Sequence, residues 1–254
     1  MNKTIGFIGG GRITRIFLQA FRNKGFNPAK IVVFDINNEV LLALQQNFPA
    51  VSISSLDEAA CQNIVFIALH PPVIMDTLEQ AKRNIKADSC VISLAPKVTI
   101  EKISAKLNLQ GNVARMIPNA TSYINKGYNP VCFSKDFNDK ESILEMLKLL
   151  GDTFIAEESK MEAYAIASAM LPTYFWFQWQ EMHQIGTKIG LDEQEARETV
   201  EKTLTAAIKT MYHSGLNYEE VIDLIPFKPI AAHEPQIKEI LSNTLSALFE
   251  KIKP

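Results

Sequence analysis

The sequence predicts an α/β fold, with a doubly wound parallel sheet followed by an all-α domain. Up to about residue 157, short apolar runs alternate with stretches of helical spacing. This is the pattern of parallel strands joined by helical crossovers. From about residue 158 the strand signals stop and only helical spacing is left. We therefore expect two domains, residues 1–157 and residues 158–254.

The composition is that of an ordinary globular protein, with 47% hydrophobic and 21% charged residues in 254. A net charge of −2 gives no electrostatic reason to expect nucleic acid or an anionic membrane as a partner. No apolar run approaches the roughly 18 residues of a membrane span. Cys61, Cys90 and Cys132 lie far apart without the spacing of a metal site, which favours a reducing compartment. The first strand leaves no room for a signal peptide, so we expect a cytoplasmic protein.

The first predicted strand leads into a glycine turn and then a helix. Ile8 is followed by three glycines, after which apolar residues recur at helical spacing. Gly9 would allow the tight turn, and Gly11 would let a pyrophosphate approach the backbone at the helix N-terminus. Thr14 stands where Gly or Ala is usual, so we expect slightly looser packing of helix on strand. The order of elements predicts a Rossmann-type dinucleotide site, with a plain glycine turn as the alternative.

An acidic residue follows the second predicted strand, Lys30–Phe34. The carboxylate of Asp35 would accept hydrogen bonds from the adenosine ribose and repel a 2′-phosphate, which favours NAD over NADP. Alternatively, Asp35 or Asn37 simply caps the next helix. Arg12 and Arg15 could instead pair with a phosphate.

The next apolar run, Asn63–Leu69, has the composition of a central parallel strand and stops at His70-Pro71-Pro72. His70 is therefore expected near a bound dinucleotide, either as a proton donor or as a loop-packing or surface histidine. Further strands are predicted at Ser89–Leu94, Asn112–Asn119 (ending in a polar turn) and Val131–Ser134, with a helix near Asp139–Leu150 that ends at Gly151.

The second domain is predicted to consist of helices. Five segments have helical spacing: Met161–Leu171, Tyr174–Ile189, Glu193–Tyr212, Tyr218–Leu224 and Gln236–Ile252. In the second of them, residues 175–179 place aromatic side chains on several faces of one helix. Such a helix is buried on several sides, by a subunit interface or by a thick domain core.

Several segments, taken in order, carry a resemblance that covers nearly the whole chain. They are Ile5–Gly11, Phe66–Pro72, Val91–Ile100, Val113–Asn119 and Ile185–Leu191 with the following Glu195-Ala196. They resemble the motifs of the pyrroline-5-carboxylate reductase family, although His70 stands for a lysine and Pro96-Lys97 for Ala-Gly. The resemblance implies an NAD(P)-dependent reductase of proline biosynthesis. It also implies a C-terminal helical domain that dimerises by intertwining, and a cleft finished by the partner's helices.

The resemblance, together with the glycine motif and Asp35, gives a set of expected site residues. The expected cofactor residues are Ile8, Gly9, Gly11, Arg12, Ile13, Asp35, Ala68, His70, Pro71 and Asn119, and the expected substrate residues are Ser168, Pro172 and Thr173. No catalytic residue and no metal site is assigned.

The family's substrate motifs are altered in this chain. Where the family has "SGSGPAY", Met170 replaces a hydroxyl and Leu171 replaces a glycine. Where it has "SPGGTT", the segment Ile225–Ile230 contains neither Gly nor Thr, although Lys228 could supply a charge. A pocket that loses polar donors loses its discrimination for a polar group. We therefore expect hydride transfer to the C=N bond of a small imine other than the family's usual substrate.

Two other functions stay open at this stage. A hydroxyacid-type dehydrogenase of the same architecture would need a catalytic lysine in the first C-terminal helix, but Lys160 comes early for this role and Lys188 late. A nucleotide-binding protein without turnover would instead report cofactor levels to a partner. Turnover assays with cyclic imines and 2-keto acids distinguish these classes.

Overall fold

The structure, a computed structural model, describes residues 3–254. These residues form two compact units, one of residues 3–170 with 249–254 and one of residues 171–248. The domain boundary expected between residues 157 and 158 stays a prediction.

Eight strands in the described residues form one sheet. They are β1 Thr4–Ile8, β2 Lys30–Phe34, β3 Ser52–Ile53, β4 Ile64–Ile67, β5 Cys90–Ser93, β6 Val113–Met116, β7 Gly127–Phe133 and β8 Gly151–Ile155. Their order across the sheet is β3-β2-β1-β4-β5-β6-β7-β8. Strands β1 to β6 pair in parallel, β7 runs antiparallel to β6, and β8 is parallel to β7. The predicted doubly wound sheet is therefore confirmed, with one antiparallel pairing that was not expected.

Helices account for most of the remaining elements. They are α1 Arg12–Asn23, α2 Asn38–Asn47, α3 Leu56–Ala60, α4 Pro71–Ala81, α5 Ile100–Leu107, α6 Lys140–Lys148, α7 Met161–Tyr164, α8 Leu171–Lys188, α9 Glu193–His213, α10 Tyr218–Asp223 and α11 Glu234–Ile252. Short 3₁₀ helices span Ala120–Ile124, Glu158–Lys160 and Ala231–His233.

An aromatic cluster packs α1 against the centre of the sheet. The rings of Phe7 and Phe66, on adjacent strands, stack with centroids 4.8 Å apart, and Phe17 from α1 meets Phe7 edge-on at 6.0 Å. All three side chains are fully buried. Aromatic pairs of this kind add about 0.5–1.5 kcal/mol each beyond the burial of their area. The cluster therefore fixes the middle of α1 against β1 and β4.

The sequence prediction missed β3 and β8 and placed the start of β7 too late. Pro130 lies inside β7, and proline cannot donate to a strand ladder, so the pattern around it does not indicate a strand. The segment predicted as one helix over Met161–Leu171 is instead α7 followed by a π-helical turn, Ala165–Ala169. A π-helical turn often lies at a functional site.

The prediction that only helices follow residue 158 is confirmed by α7–α11. Asp192 with Glu195, and Asn217 with Glu220, form the reciprocal bonds of capping boxes at the starts of α9 and α10. Among the described residues, none of the helices is both long and apolar enough to cross a lipid bilayer.

Candidate functional site

The glycine turn after β1 uses its glycines in two different ways. Gly9 has a φ of 110°, and a Cβ there would lie 2.4 Å from the carbonyl oxygen of Ala68, so the turn itself requires glycine. Gly11 has an ordinary φ of −71°, and a Cβ there would meet nothing within 4 Å. Gly11 therefore leaves open space at the start of α1, where a bound group could approach the backbone.

Thr14 closes this turn from the side of α1. Its side chain is fully buried, and its hydroxyl donates a hydrogen bond of 2.6 Å to the carbonyl oxygen of Gly9. The sequence predicts that this larger residue loosens the packing of helix on strand. In the structure its hydroxyl instead ties the first turn of α1 to the glycine turn.

The N-terminus of α1 suits an anion. No side chain caps it, and its first turn carries no acidic residue. Arg12 and Arg15 are exposed on the same helix. Free N–H groups and the positive end of the helix dipole favour negative charge at such a terminus. The residues present therefore fit the pyrophosphate of a dinucleotide.

A cavity of about 250 Å³ opens beside this terminus. It is lined by Gly11, Arg12, Ile13, Ala68, Leu69, His70, Pro71, Leu94, Ala95 and Pro96. These residues follow β1, β4 and β5, and the order of strands in the sheet reverses direction between β1 and β4. Ligands of doubly wound sheets bind at such a switch point, beyond the carboxyl ends of the strands. The structure thus brings six of the predicted cofactor residues around one cavity.

His70 is exposed and forms the N-cap of α4, where its side chain makes no capping bond. Pro71 and Pro72, at the first positions of α4, have no N–H to offer an anion. His70 is therefore a polar side chain on the wall of the cavity, and its role as a proton donor stays a prediction.

Asp35 supports the glycine turn from the end of β2. One carboxylate oxygen accepts the N–H of Gly10 at 2.7 Å, and the other accepts the N–H of Asn37 at 2.9 Å. The residue that caps α2 is Asn37, whose side chain accepts from Glu39 and Val40. The prediction that Asn37 caps the helix is therefore confirmed, and the alternative that Asp35 caps it is wrong. A ribose contact of Asp35 stays a prediction.

Three further predicted residues lie away from the lining of this cavity. Ile8 is a fully buried core residue at the end of β1. Asn119 donates to the carbonyl oxygen of Ser168 at 2.9 Å and lies 3.2 Å from its hydroxyl, and the Ser168 hydroxyl donates to the carbonyl oxygen of Tyr128. Both side chains are buried. Asn119, a predicted cofactor residue, thus directly contacts Ser168, a predicted substrate residue in the π-helical turn.

The remaining substrate residues belong to the helical unit. Pro172 and Thr173 lie in the first turn of α8. The altered loop, residues 225–230, exposes Ile225, Phe227 and Ile230 and lines a separate apolar groove in this unit.

Sequence reasoning missed two features of the site. The first is the wall formed by Leu94, Ala95 and Pro96, which the position of β5 beside β4 would have indicated. The second is a buried ionic cluster in which Arg115 contacts Glu158 at 3.0 Å and Glu162 at 2.5 Å. A charged residue inside an apolar strand was the available signal, because a buried charge requires partners.

Two thiols within the sheet, Cys90 on β5 and Cys132 on β7, are poor nucleophiles. Burial, together with the nearby Glu158 carboxylate, raises the pKa of Cys132 to about 12. Burial also raises the pKa of Cys90 well above its usual range. Among the described residues, no group of three His, Cys, Asp or Glu side chains could hold a metal ion.

The fold and the family models that match it together indicate a class of protein, an NAD(P)-dependent oxidoreductase. Residues 4–97 match the family model described as "NADP oxidoreductase coenzyme F420-dependent", and residues 158–226 match "Pyrroline-5-carboxylate reductase dimerisation".

Relatives over most of the chain agree with these two matches. Pyrroline-5-carboxylate reductase of Haemophilus influenzae is 24% identical over 82% of this chain and 78% of its own. Pyrroline-5-carboxylate reductase 2 of Bacillus subtilis is 25% identical over 86% of this chain and 80% of its own. The chain is therefore similar to pyrroline-5-carboxylate reductases over most of its length.

Solved structures share the fold. Plasmodium falciparum pyrroline carboxylate reductase with NADP bound superposes with a TM-score of 0.83 and 19% identity, over 99% of this chain and 97% of its own. The Streptococcus pyogenes 1-pyrroline-5-carboxylate reductase gives a TM-score of 0.74 and 17% identity, over 98% and 96%.

Proposed function

We propose that this protein is an NAD(P)H-dependent reductase that transfers a hydride to the C=N bond of a small cyclic imine. The observation that supports it best is the cavity at the switch point of the sheet, with the open backbone of Gly11 and an uncapped helix N-terminus beside it. The curated relatives are named as pyrroline-5-carboxylate reductases, which supports the same reaction class.

In this proposal most of the residues that line the cavity bind and orient the reactants, and His70 is the candidate proton donor. The N–H groups at the start of α1 would hold the pyrophosphate, with Arg12 adding positive charge. Ala68, Leu94 and Ala95 would form an apolar wall that excludes water from the reacting face. A bound nicotinamide supplies the hydride chemistry. His70 is the titratable side chain that we place closest to the incoming imine, where it could supply the proton that the nitrogen gains.

For the cofactor, we propose NADH over NADPH. The carboxylate of Asp35 lies at the end of β2, where a 2′-phosphate would meet negative charge. The Plasmodium falciparum relative was solved with NADP bound, so a direct comparison of the two cofactors is the test.

We also propose a cytoplasmic homodimer or higher homo-oligomer, assembled through the helical domain and acting on a small molecule in proline biosynthesis. Residues 158–226 match a dimerisation model. Phe175, Trp176 and Phe177 are exposed in the single chain, which favours a subunit interface over a domain core as the reason for this aromatic segment.

The substrate is proposed to be less charged or more apolar than pyrroline-5-carboxylate. A carboxylate that enters an apolar cleft loses several kcal/mol of hydration unless fixed donors replace the water. Met170 stands where the family has a hydroxyl, and Leu171 where it has a glycine. In the later loop, Phe227 and Ile230 lie in the segment where the family has glycines and threonines. Thioether and hydrocarbon side chains cannot replace those donors.

The experiment is steady-state turnover with NADH and NADPH against cyclic imines with and without a carboxylate, and against 2-keto acids as controls. We expect an uncharged imine to be the better substrate. Met170→Ser with Leu171→Gly and the family's loop at 226–230 is expected to raise activity on pyrroline-5-carboxylate. A native kcat/KM of about 10⁴ M⁻¹s⁻¹ or more on pyrroline-5-carboxylate would contradict the altered substrate.

The same assay decides between the other two functions. Binding of NAD(P)H without turnover of any imine would favour a cofactor sensor. Reduction of 2-keto acids alone would favour a hydroxyacid-type dehydrogenase. Against the latter, Lys160 lies before α7 in an exposed ion pair with Glu157 at 2.8 Å, and Lys188 is the last residue of α8.

A further inference from the structure

The buried ionic cluster connects β6 to the chain that follows β8. The Arg115 side chain is fully buried on β6, and Glu162, on α7, is almost as deeply buried. Glu158 is about one-third exposed and completes the cluster from the other side. The Arg115 Nε has no hydrogen-bond partner among the described residues. A buried pair of this kind is seldom explained by stability alone, because an apolar pair of similar size often stabilises a fold as well or better.

Glu162 has a second contact that a purely ionic role does not require. The same Oε1 atom that meets Arg115 also accepts the backbone N–H of Lys97 at 2.9 Å. Lys97 has a φ of 78°, the left-handed region that glycine tolerates and lysine avoids. A strained residue of this type persists only when its surroundings hold it in place.

The strained turn lies directly next to the candidate cofactor cavity. Leu94, Ala95 and Pro96 line that cavity, and Lys97 is the next residue. The bond from Glu162 therefore holds the end of the segment that forms the β5 side of the cavity. Glu158 does not contact Lys97 in this way. It accepts the N–H of Ile100, the first residue of α5, three residues further along the chain.

We propose that Glu162, oriented by Arg115, is a positioning residue that keeps the Leu94–Lys97 segment in the conformation that binds the dinucleotide. The inference rests on the proposed function, because it assumes that this cavity takes the cofactor. Arg115 fixes the carboxylate, the carboxylate fixes the N–H of Lys97, and the left-handed turn at Lys97 sets the position of Pro96. The apparent affinity for the cofactor is then proportional to the fraction of molecules in which the Leu94–Lys97 segment has the binding conformation.

The test compares dissociation constants for NADH and NADPH, measured by cofactor fluorescence on the full chain. Arg115→Met with Glu162→Leu removes both buried charges together, so that neither is left alone. We expect it to stay folded by circular dichroism and to bind cofactor roughly tenfold more weakly. Glu158→Gln is the matched control, because it also takes a charge from Arg115 but leaves the bond to Lys97. We expect its affinity to stay within about twofold of the native value.

A third substitution that restores cofactor affinity would distinguish a positioning role of Glu162 from a general structural role. Adding Lys97→Gly to the double variant should restore most of the lost affinity, since glycine adopts the left-handed turn without help. If the double variant does not fold, Glu162→Gln replaces it, with an expected loss of roughly threefold and the same rescue.

Unchanged affinity in the folded variant, or a loss that Lys97→Gly does not restore, would overturn this inference alone. Failure of the native protein to bind either dinucleotide would overturn the proposed function and this inference with it.

Discussion

Replacing Gly11 with valine should abolish cofactor binding and leave the fold nearly intact. A Cβ at this position meets nothing within 4 Å and needs no unusual φ, so the side chain points into open space beside the cavity. The stability cost is that of a poorer N-cap residue, about 1 kcal/mol. For a chain of this size it lowers the Tm by about 2–4 °C. The branched side chain would occupy the space where a pyrophosphate approaches the backbone.

We expect at least a hundredfold weaker binding, about 2.7 kcal/mol or more, in a fluorescence titration with NADH and NADPH. Gly9→Ala is the matched control, since its φ of 110° and a contact of 2.4 Å with the carbonyl oxygen of Ala68 penalise the fold itself. Strain and overpacking there should cost about 2–6 kcal/mol of unfolding free energy. Near-normal cofactor affinity in Gly11→Val would refute the assignment of the glycine turn to a dinucleotide.

Three further predictions follow from single residues. NADH should bind more tightly than NADPH, and Asp35→Ser should narrow the difference; a several-fold preference of the native protein for NADPH would point to the arginines of α1 instead. Lys97→Gly should stabilise the protein by about 1 kcal/mol in urea unfolding, because the φ of 78° suits glycine. An unchanged or lower urea midpoint would contradict the claim that Lys97 is strained. At pH 8.5 a disulfide reagent should label only the Cys61 thiol of the native protein, because burial raises the pKa of Cys132 to about 12 and also raises that of Cys90. Since folding raises these two pKa values, the free energy of unfolding should fall as the pH rises above about 8.5, the pKa of an unfolded thiol.

The sequence was sufficient for the architecture where local signals agree with tertiary structure. The apolar run at β4, the glycine turn before α1 and the capping boxes of α9 and α10 each carry their own physical reason within a few residues. The same holds for the cavity, because residues after neighbouring parallel strands must meet at one edge of the sheet.

The features that were missed depend on contacts between distant segments. Strand β8 is identified by its pairing with β7, and Pro130 inside β7 hides that strand from a pattern search. Nothing local indicates that Glu162 reaches the N–H of Lys97, 65 residues earlier in the chain. The left-handed turn at Lys97 is likewise visible only in the structure, although a family glycine at that position was a hint.

Isotope transfer from the cofactor tests the central claim most directly. The native protein is incubated with NADH or NADPH in which both hydrogens at C4 of the nicotinamide are deuterium, together with each imine of the panel, and the products are read by mass spectrometry and NMR. We predict one deuterium at the former imine carbon of the amine product, strongest for an uncharged cyclic imine. Tight cofactor binding without deuterium in any amine product would contradict the claim that this protein reduces a C=N bond.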